Sequence, residues 1–291
     1  MTTLAALGFG YCARHLVALH PGAFSRVIGT ARTPDKAGAM PPGVEGFVFD
    51  GQALSPELAA ALGQADVLVA SAPPDEAGDP VLRAAGPALA AGRLSQVVYL
   101  TTLGVYGNHD GAWVDEATAP RPDSPRLVRR LEAEAAWFDF GKRAGIPVAA
   151  LRLAGIYGPG RNALAQVRAG EARAIDKPGQ VFNRIHVDDI ASAVLAVVER
   201  RFSGVLNVTD DAPAASSAPI LHAAALLGLP APDLVPFAEA AKAMSPMALS
   251  FWDNNKRVSN ARLRGELGVA LAHPTYREGL AALLAAGEGA A

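Results

Sequence analysis

Gly8-Phe9-Gly10-Tyr11-Cys12-Ala13 carries the sharpest chemical signal in the chain. It follows an apolar run, Thr3–Leu7, expected as a strand, and opens a helix expected over about 11–19. In that setting Gly8 permits a tight turn, Gly10 lets the backbone approach a pyrophosphate, and small Ala13 allows close helix–strand packing. The helix start adds N–H donors and a partial positive charge, so Tyr11 and Cys12 join the candidate cofactor contacts. The spacing alone is a weak signal, and a structural turn without ligand is the competing reading. About 20 residues further on, an acid would hold the ribose 2′-hydroxyl of NAD. Here the chain reads Gly29-Thr30-Ala31-Arg32, with no acid until Asp35. A guanidinium at Arg32 suits a 2′-phosphate, so NADP is expected ahead of NAD, with Thr30 at the same strand end. An ordinary solvated loop arginine is the other reading of Arg32.

These groups need a frame. Short Val/Ile/Leu-rich runs alternate with Ala-rich stretches of helical length, the pattern of βαβ units feeding a parallel sheet buried on both faces. Strands are expected at 3–7, 26–30, 46–49, 66–70, 96–100 and 147–153, with 205–209 rejoining the sheet. Helices are expected from Ser55 to about Leu62, from Asp79-Pro80 onward, and over about 126–144, 187–200 and 275–286. The GIYGPG run at Gly155–Gly160 reads as a loop, and the Ala/Gly-biased tail from Ala281 as a fraying end. The fold class expected is α/β, a Rossmann-type doubly wound parallel sheet.

Composition narrows the partners. The 291 residues are 51% hydrophobic and 19% charged with a net charge of -2, which leaves no electrostatic footprint for nucleic acid or an anionic membrane. Small molecules are the expected partners. Cys12 is the single cysteine, so no intrachain disulfide forms, and the six histidines (15, 20, 109, 186, 222 and 273) are spread without metal-ligand spacing. No metal is expected, and a reducing, cytoplasmic location fits. The apolar start lacks the basic region of a signal peptide, and no apolar run reaches the roughly 20 residues of a membrane span.

Beyond the glycine turn stand YLTTLGVYG at Tyr99–Gly107, RLAGIYGPG at Arg152–Gly160, RIHVDDIA at Arg184–Ala191, NVTDD at Asn207–Asp211 and NKRVSNARLRGELG at Asn255–Gly268. With these runs in this order, the sequence resembles the short-chain dehydrogenase/reductase superfamily, in its extended branch of nucleotide-sugar epimerases and dehydratases. The resemblance implies a dinucleotide-binding domain over 1–160 and 187–210, and a smaller, mainly C-terminal substrate domain over 161–186 and 211–291. It implies Asp50 near the adenine, Ala70-Ser71-Ala72 along the cofactor, Leu153 among the cofactor contacts, and Thr102 at the substrate-binding Ser/Thr position. Asp50 before Gly51 is equally a good turn residue, and Thr102 can simply satisfy a backbone group.

The departure from the family pattern concerns catalysis. Relatives carry Tyr-x-x-x-Lys at the start of the helix over 126–144, whereas aligning Leu131-Glu132-Ala133-Glu134 puts Arg126 at the tyrosine position and Arg130 at the lysine position. Arginine keeps its proton near pH 7, so Arg126 cannot act as the general base. Arg130 can still hold ribose hydroxyls, and the two, one turn apart, can share an anion; a solvated basic face is the competing reading. Tyr106 leads as the replacement proton carrier, followed by Asp115, Glu116, Asp123 and His186. Tyr106 equally reads as a packed side chain, and His186 as part of a capped helix start. Phe182 stands where the nucleotide-sugar enzymes place a diphosphate-gripping arginine, which weighs against a standard UDP-sugar. Two functions stay open: an NADP-dependent oxidoreductase or epimerase on a small carbonyl or sugar-like substrate, and a non-catalytic NADP sensor or regulator. A homodimer through the 126–144 helix would draw on Trp137, Phe138 and Phe140, which serve equally as packing against the sheet.

Overall fold

A computed structural model describes residues 2–289. The N-terminal half lays down β1 (Thr3–Leu7), α1 (Tyr11–Leu19), β2 (Arg26–Ala31), α2 (Pro34–Gly38), β3 (Val44–Val48), α3 (Pro56–Leu62), β4 (Val67–Ala70), α4 (Pro80–Ala91) and β5 (Gln96–Thr102). A 3₁₀ turn over Leu103–Tyr106 leads to β6 (Trp113–Val114), α5 (Pro125–Ala144), β7 (Val148–Leu153) and β8 (Gly155–Tyr157). Then come α6 (Ala163–Arg168), β9 (Ala174–Asp176), β10 (Arg184–His186), α7 (Val187–Arg200), β11 (Gly204–Val208) and α8 (Ser217–Leu226). Short pieces follow, including β12 (Leu234–Pro236) and β13 (Arg257–Val258), before the last helix, Tyr276–Ala285.

Seven strands form one parallel sheet in the order β11-β7-β5-β4-β1-β2-β3. The winding reverses between β1 and β4, so a crevice opens at their C-terminal ends, the place where open α/β sheets bind ligands. Val, Ile, Leu and Ala dominate the strands because both faces are covered: one core gathers around Leu4, Leu16, Val98, Leu151 and Val194, the other around Leu68, Leu89, Tyr99 and Trp137. Helix starts carry local signals. Ser55 accepts from Leu58 N–H, and Asp79 accepts from Val81 and Leu82 N–H.

A third core joins Tyr157, Leu164, Ile220, Tyr276 and Leu280, on the side where β8 pairs with β10 and β9 with β12. The expected GIYGPG loop is therefore partly a strand, because Arg184–His186 offers it a parallel partner. Val258, Leu263 and Leu267, expected in the smaller part, pack instead into the first of the two sheet-covering cores. The tail is tied down rather than frayed through Gly289: the Glu288 carboxylate accepts from Gly160 N–H (2.9 Å) and Asn162 Nδ2 (2.9 Å). Trp137 and Phe140 are buried against the sheet, and Phe138 packs beside them half-buried. No helix among the described residues is long and apolar enough to cross a membrane.

Candidate functional site: a clamped glycine turn beside a two-part cavity

After β1, Gly8 turns the chain with φ +94°, a conformation that side chains rarely adopt. Its N–H donates to Thr30 Oγ1 (2.9 Å), and Phe9 N–H donates to the Thr30 carbonyl (2.9 Å). From the other side Ser71 Oγ donates to the Gly8 carbonyl at 2.8 Å. The strands flanking β1 thus hold the turn from both sides. Thr30, at 2% exposure, accepts with its hydroxyl from the turn itself. Ala70 is likewise sealed as the last residue of β4, and Ala72 is half-buried just beyond Ser71.

The turn fits a pyrophosphate. Gly10 stands at the N-cap of α1, no side chain caps the helix, and its first turn holds no acid. A Cβ on Gly10 would meet nothing nearer than the Gly8 carbonyl at 3.8 Å, so there is room for a ligand to approach the backbone there. Ala13 is buried beneath them. Burial pushes the Cys12 thiol up to about 11, which keeps it neutral beside an anion. Tyr11 donates its hydroxyl to the Pro159 carbonyl (2.9 Å) and latches the GIYGPG segment to the turn. Arg32 is exposed just past β2 and has no carboxylate partner among the described residues. Asp50, also exposed, accepts from Gln52 N–H at 3.0 Å, the turn role its sequence allows.

A cavity of about 360 Å³ opens past the C-terminal ends of β5 and β7; Thr102, Gly104, Arg126, Leu153, Phe182 and Lys256 contribute to its wall. Thr102 Oγ1 accepts from Gly104 N–H (3.1 Å), which leaves the hydroxyl proton to donate elsewhere. Arg126 lies 5.7 Å from the Phe251 ring centroid and pairs with no carboxylate among the described residues. Arg130 turns away from that cavity, with Nη1 3.4 Å from the Leu100 carbonyl and 3.5 Å from the Tyr99 hydroxyl. The two arginines therefore do not converge on one anion as expected, and Arg129 pairs with Glu76 (3.1 Å). A second cavity of about 660 Å³ shares Gly155, Ile156, Arg161, Phe182 and Asn183 with the first and adds Tyr157, Trp252 and Tyr276.

Most of the expected proton carriers are committed to other contacts. Tyr106 is 0% exposed, donates its hydroxyl to Asn207 Oδ1 (2.9 Å) and packs under the Arg152 guanidinium (4.7 Å), so it cannot serve that cavity. The Glu116 carboxylate accepts from Asn207 N–H (2.8 Å), Asp115 closes its own turn onto Ala117 and Thr118, and Asp123 is exposed. His186 caps α7, its Nδ1 accepting from Asp188 N–H at 3.2 Å; burial takes its pKa down to about 4, so it is neutral at pH 7. His186 is not isolated, since its ring lies 3.9 Å from that of His273, and Asp188 stands within reach of both. Lys256 was overlooked. Its sequence neighbours give no hint of burial, which arises only from segments distant in the chain.

Asp210 buries its carboxyl close to Arg184, and Oδ2 has no partner among the described residues. Burial pushes its pKa up to about 7, against the opposing pull of Ala212 N–H and Arg184. A raised acid binds its proton more tightly in the folded state, so its contribution is full below about pH 4 and lost as pH rises through 7. Asp210→Asn is expected to raise unfolding free energy at pH 8 by about 2–4 kcal/mol, with the gain vanishing near pH 4, as denaturant melts at both pH values would read.

A family model described as the NAD dependent epimerase/dehydratase family matches residues 58–209. The 3-diazoavenalumate denitrifying reductase of a Streptomyces species is 33% identical over 161 residues, 53% of this chain and 51% of that reductase, about half its length. A conserved protein of unknown function from Silicibacter pomeroyi is 44% identical with a TM-score of 0.86, over 99% of this chain and 100% of that one. UDP-glucuronic acid 4-epimerase from Bacillus cereus, solved with NAD, has a TM-score of 0.72 at 18% identity, over 96% of each chain, and shows the shared fold. The parallel sheet with its glycine turn at the switch point, together with the match over residues 58–209, places this chain in the NAD dependent epimerase/dehydratase family.

Proposed function

We propose that the chain is an NADP-dependent oxidoreductase or epimerase acting on a small carbonyl or sugar-like substrate in the cytoplasm, with Arg126 and Arg130 in place of the Tyr-x-x-x-Lys pair. The reading rests on the turn Gly8–Ala13, held by Thr30 and Ser71 with no side chain capping the helix it opens, and on Arg32, an exposed cation just past β2 with no carboxylate partner among the described residues. A bound nicotinamide dinucleotide supplies or accepts the hydride. The chain's own residues do the rest: Thr102 donates to a substrate oxygen, and Arg126 holds an anionic group such as a carboxylate. Arg130, with Nη1 3.4 Å from the Leu100 carbonyl, braces the strand end on which Thr102 stands.

Calorimetric titration of Arg32→Ala tests the cofactor preference. The expected result is at least a tenfold loss of NADPH affinity, about 1.4 kcal/mol, with NADH affinity unchanged. Equal losses for both cofactors would remove Arg32 from 2′-phosphate recognition. A second reading, a sensor that binds NADP without turnover, draws on the sealed Tyr106 and on Arg126 at the tyrosine position. Oxidation of NADPH by a carbonyl or sugar substrate at catalytic protein concentration would exclude it.

A further inference from the structure

Lys256 stands in the wall of the cavity that holds Thr102 and Arg126, and it is only 6% exposed. Two remote segments put it there. Asn255 N–H donates to Asn108 Oδ1 (3.0 Å), Asn183 Nδ2 donates to the Lys256 carbonyl (3.0 Å), and Val258 N–H donates to Asn183 Oδ1 (2.9 Å). The backbone of Lys256 is thereby stitched to the loop after β5 and to the residues just before β10. Its Nζ donates to the Gly107 carbonyl at 2.9 Å, immediately past the 3₁₀ turn that begins after Thr102. That is its one hydrogen-bond partner among the described residues, and no carboxylate pairs with it there, so two of its three N–H groups are uncommitted.

Resting on the reading of a nicotinamide-dependent carbonyl chemistry, we infer that Lys256 is the proton donor and acceptor of this site, in the role that Arg126 cannot fill. In the reducing direction the carbonyl carbon takes the hydride of the reduced nicotinamide. The C=O π pair moves onto oxygen, and that oxygen takes a proton from the Lys256 ammonium as an N–H bond breaks and an O–H bond forms. Alcohol, oxidised nicotinamide and a neutral Lys256 amine result, and water returns the proton to the amine. Thr102 donates to the same oxygen and fixes its place. Burial brings the Lys256 pKa down to about 8, with Asp123 pulling weakly the other way. Arg126 and Arg161 are the other cations of the wall. A donor poised just above neutral pH exchanges its proton readily in both directions.

The test uses the full chain with NADPH as reductant and phenanthrenequinone as the carbonyl probe, comparing wild type, Lys256→Met, Lys256→Arg and Lys256→Ala. Calorimetric NADPH affinity serves as the check on folding and cofactor binding. The expected result is unchanged NADPH affinity in every variant and turnover slowed by about 100-fold or more in Met and Arg alike. Lys256→Arg keeps the charge but not a transferable proton, so its loss separates proton transfer from charge stabilisation. Propylamine is expected to restore turnover to Lys256→Ala in proportion to its concentration, which a merely structural lysine would not permit. Lys256→Arg reducing the quinone at the wild-type rate would overturn the lysine's role and leave the functional reading standing. A wild-type chain that binds NADPH but leaves the quinone unreduced would overturn the carbonyl step and the lysine's role with it. Failure of the wild type to bind NADPH would instead overturn the functional reading on which both depend.

Discussion

Glu134→Ala is expected to cost about 3–5 kcal/mol of unfolding free energy, because it strands a charged arginine in the core. Arg152 Nη2 lies 2.7 Å from Glu134 Oε2, the two side chains are 4% and 2% exposed, and Thr101 Oγ1 donates to Glu134 Oε1 at 2.9 Å. The guanidinium also covers the Tyr106 ring. Removing the carboxylate leaves Arg152 without its counter-charge and Thr101 without its acceptor, in a place water does not reach. A domain of ordinary stability, about 5–15 kcal/mol, would lose roughly a fifth or more of it. The double replacement Glu134→Leu with Arg152→Met removes both charges and is expected to recover most of the loss. Urea melts of the wild type and these two variants read the difference. A single variant within about 1 kcal/mol of wild type would show that the pair contributes far less than its burial implies.

Gly8→Val is expected to lower cofactor affinity at least 100-fold while the sheet still forms. A Cβ at Gly8 would stand 2.6 Å from Ser71 Oγ, and φ +94° is strained for any branched side chain. Relief requires breaking the Ser71 bond to the Gly8 carbonyl or swinging the turn off Thr30, and either movement misaims the amides of α1. Ser71→Ala offers the milder counterpart: it removes one clamp without a clash, and an affinity loss nearer tenfold is expected. Calorimetry with NADPH reads both. Undiminished binding by Gly8→Val would place the cofactor somewhere other than this turn.

What the chain disclosed in advance tracks how local each signal is. The run Val187–Arg200 is a helix over the expected residues, because its apolar period and the acids behind His186 are all within the segment. β1 and α1 are equally local, and the glycines between them mark where the chain must turn. β8 was hidden because a three-residue strand depends on a partner about 30 residues away. Thr30 was assigned to the cofactor, yet its hydroxyl serves Gly8, a contact 22 residues distant. Tyr106 led as proton carrier with packing as its other reading, and Asn207, 101 residues on, accepts its hydroxyl hydrogen bond. Lys256 was the reverse case, unremarkable in sequence and placed by the loop after β5 and by Asn183. Motifs marked the candidate site, whereas which side chains line it depended on long-range contacts.

The central claim is that the turn Gly8–Ala13 binds a phosphorylated nicotinamide dinucleotide. Calorimetric titration of the purified chain with NADPH, NADP, NADH and NAD, after removal of any cofactor carried through purification, tests it most directly. The account predicts saturable binding of the phosphorylated pair at least tenfold tighter than the other two, about 1.4 kcal/mol. Heat changes no larger than buffer dilution for all four would contradict it and leave the turn a purely structural link between β1 and α1.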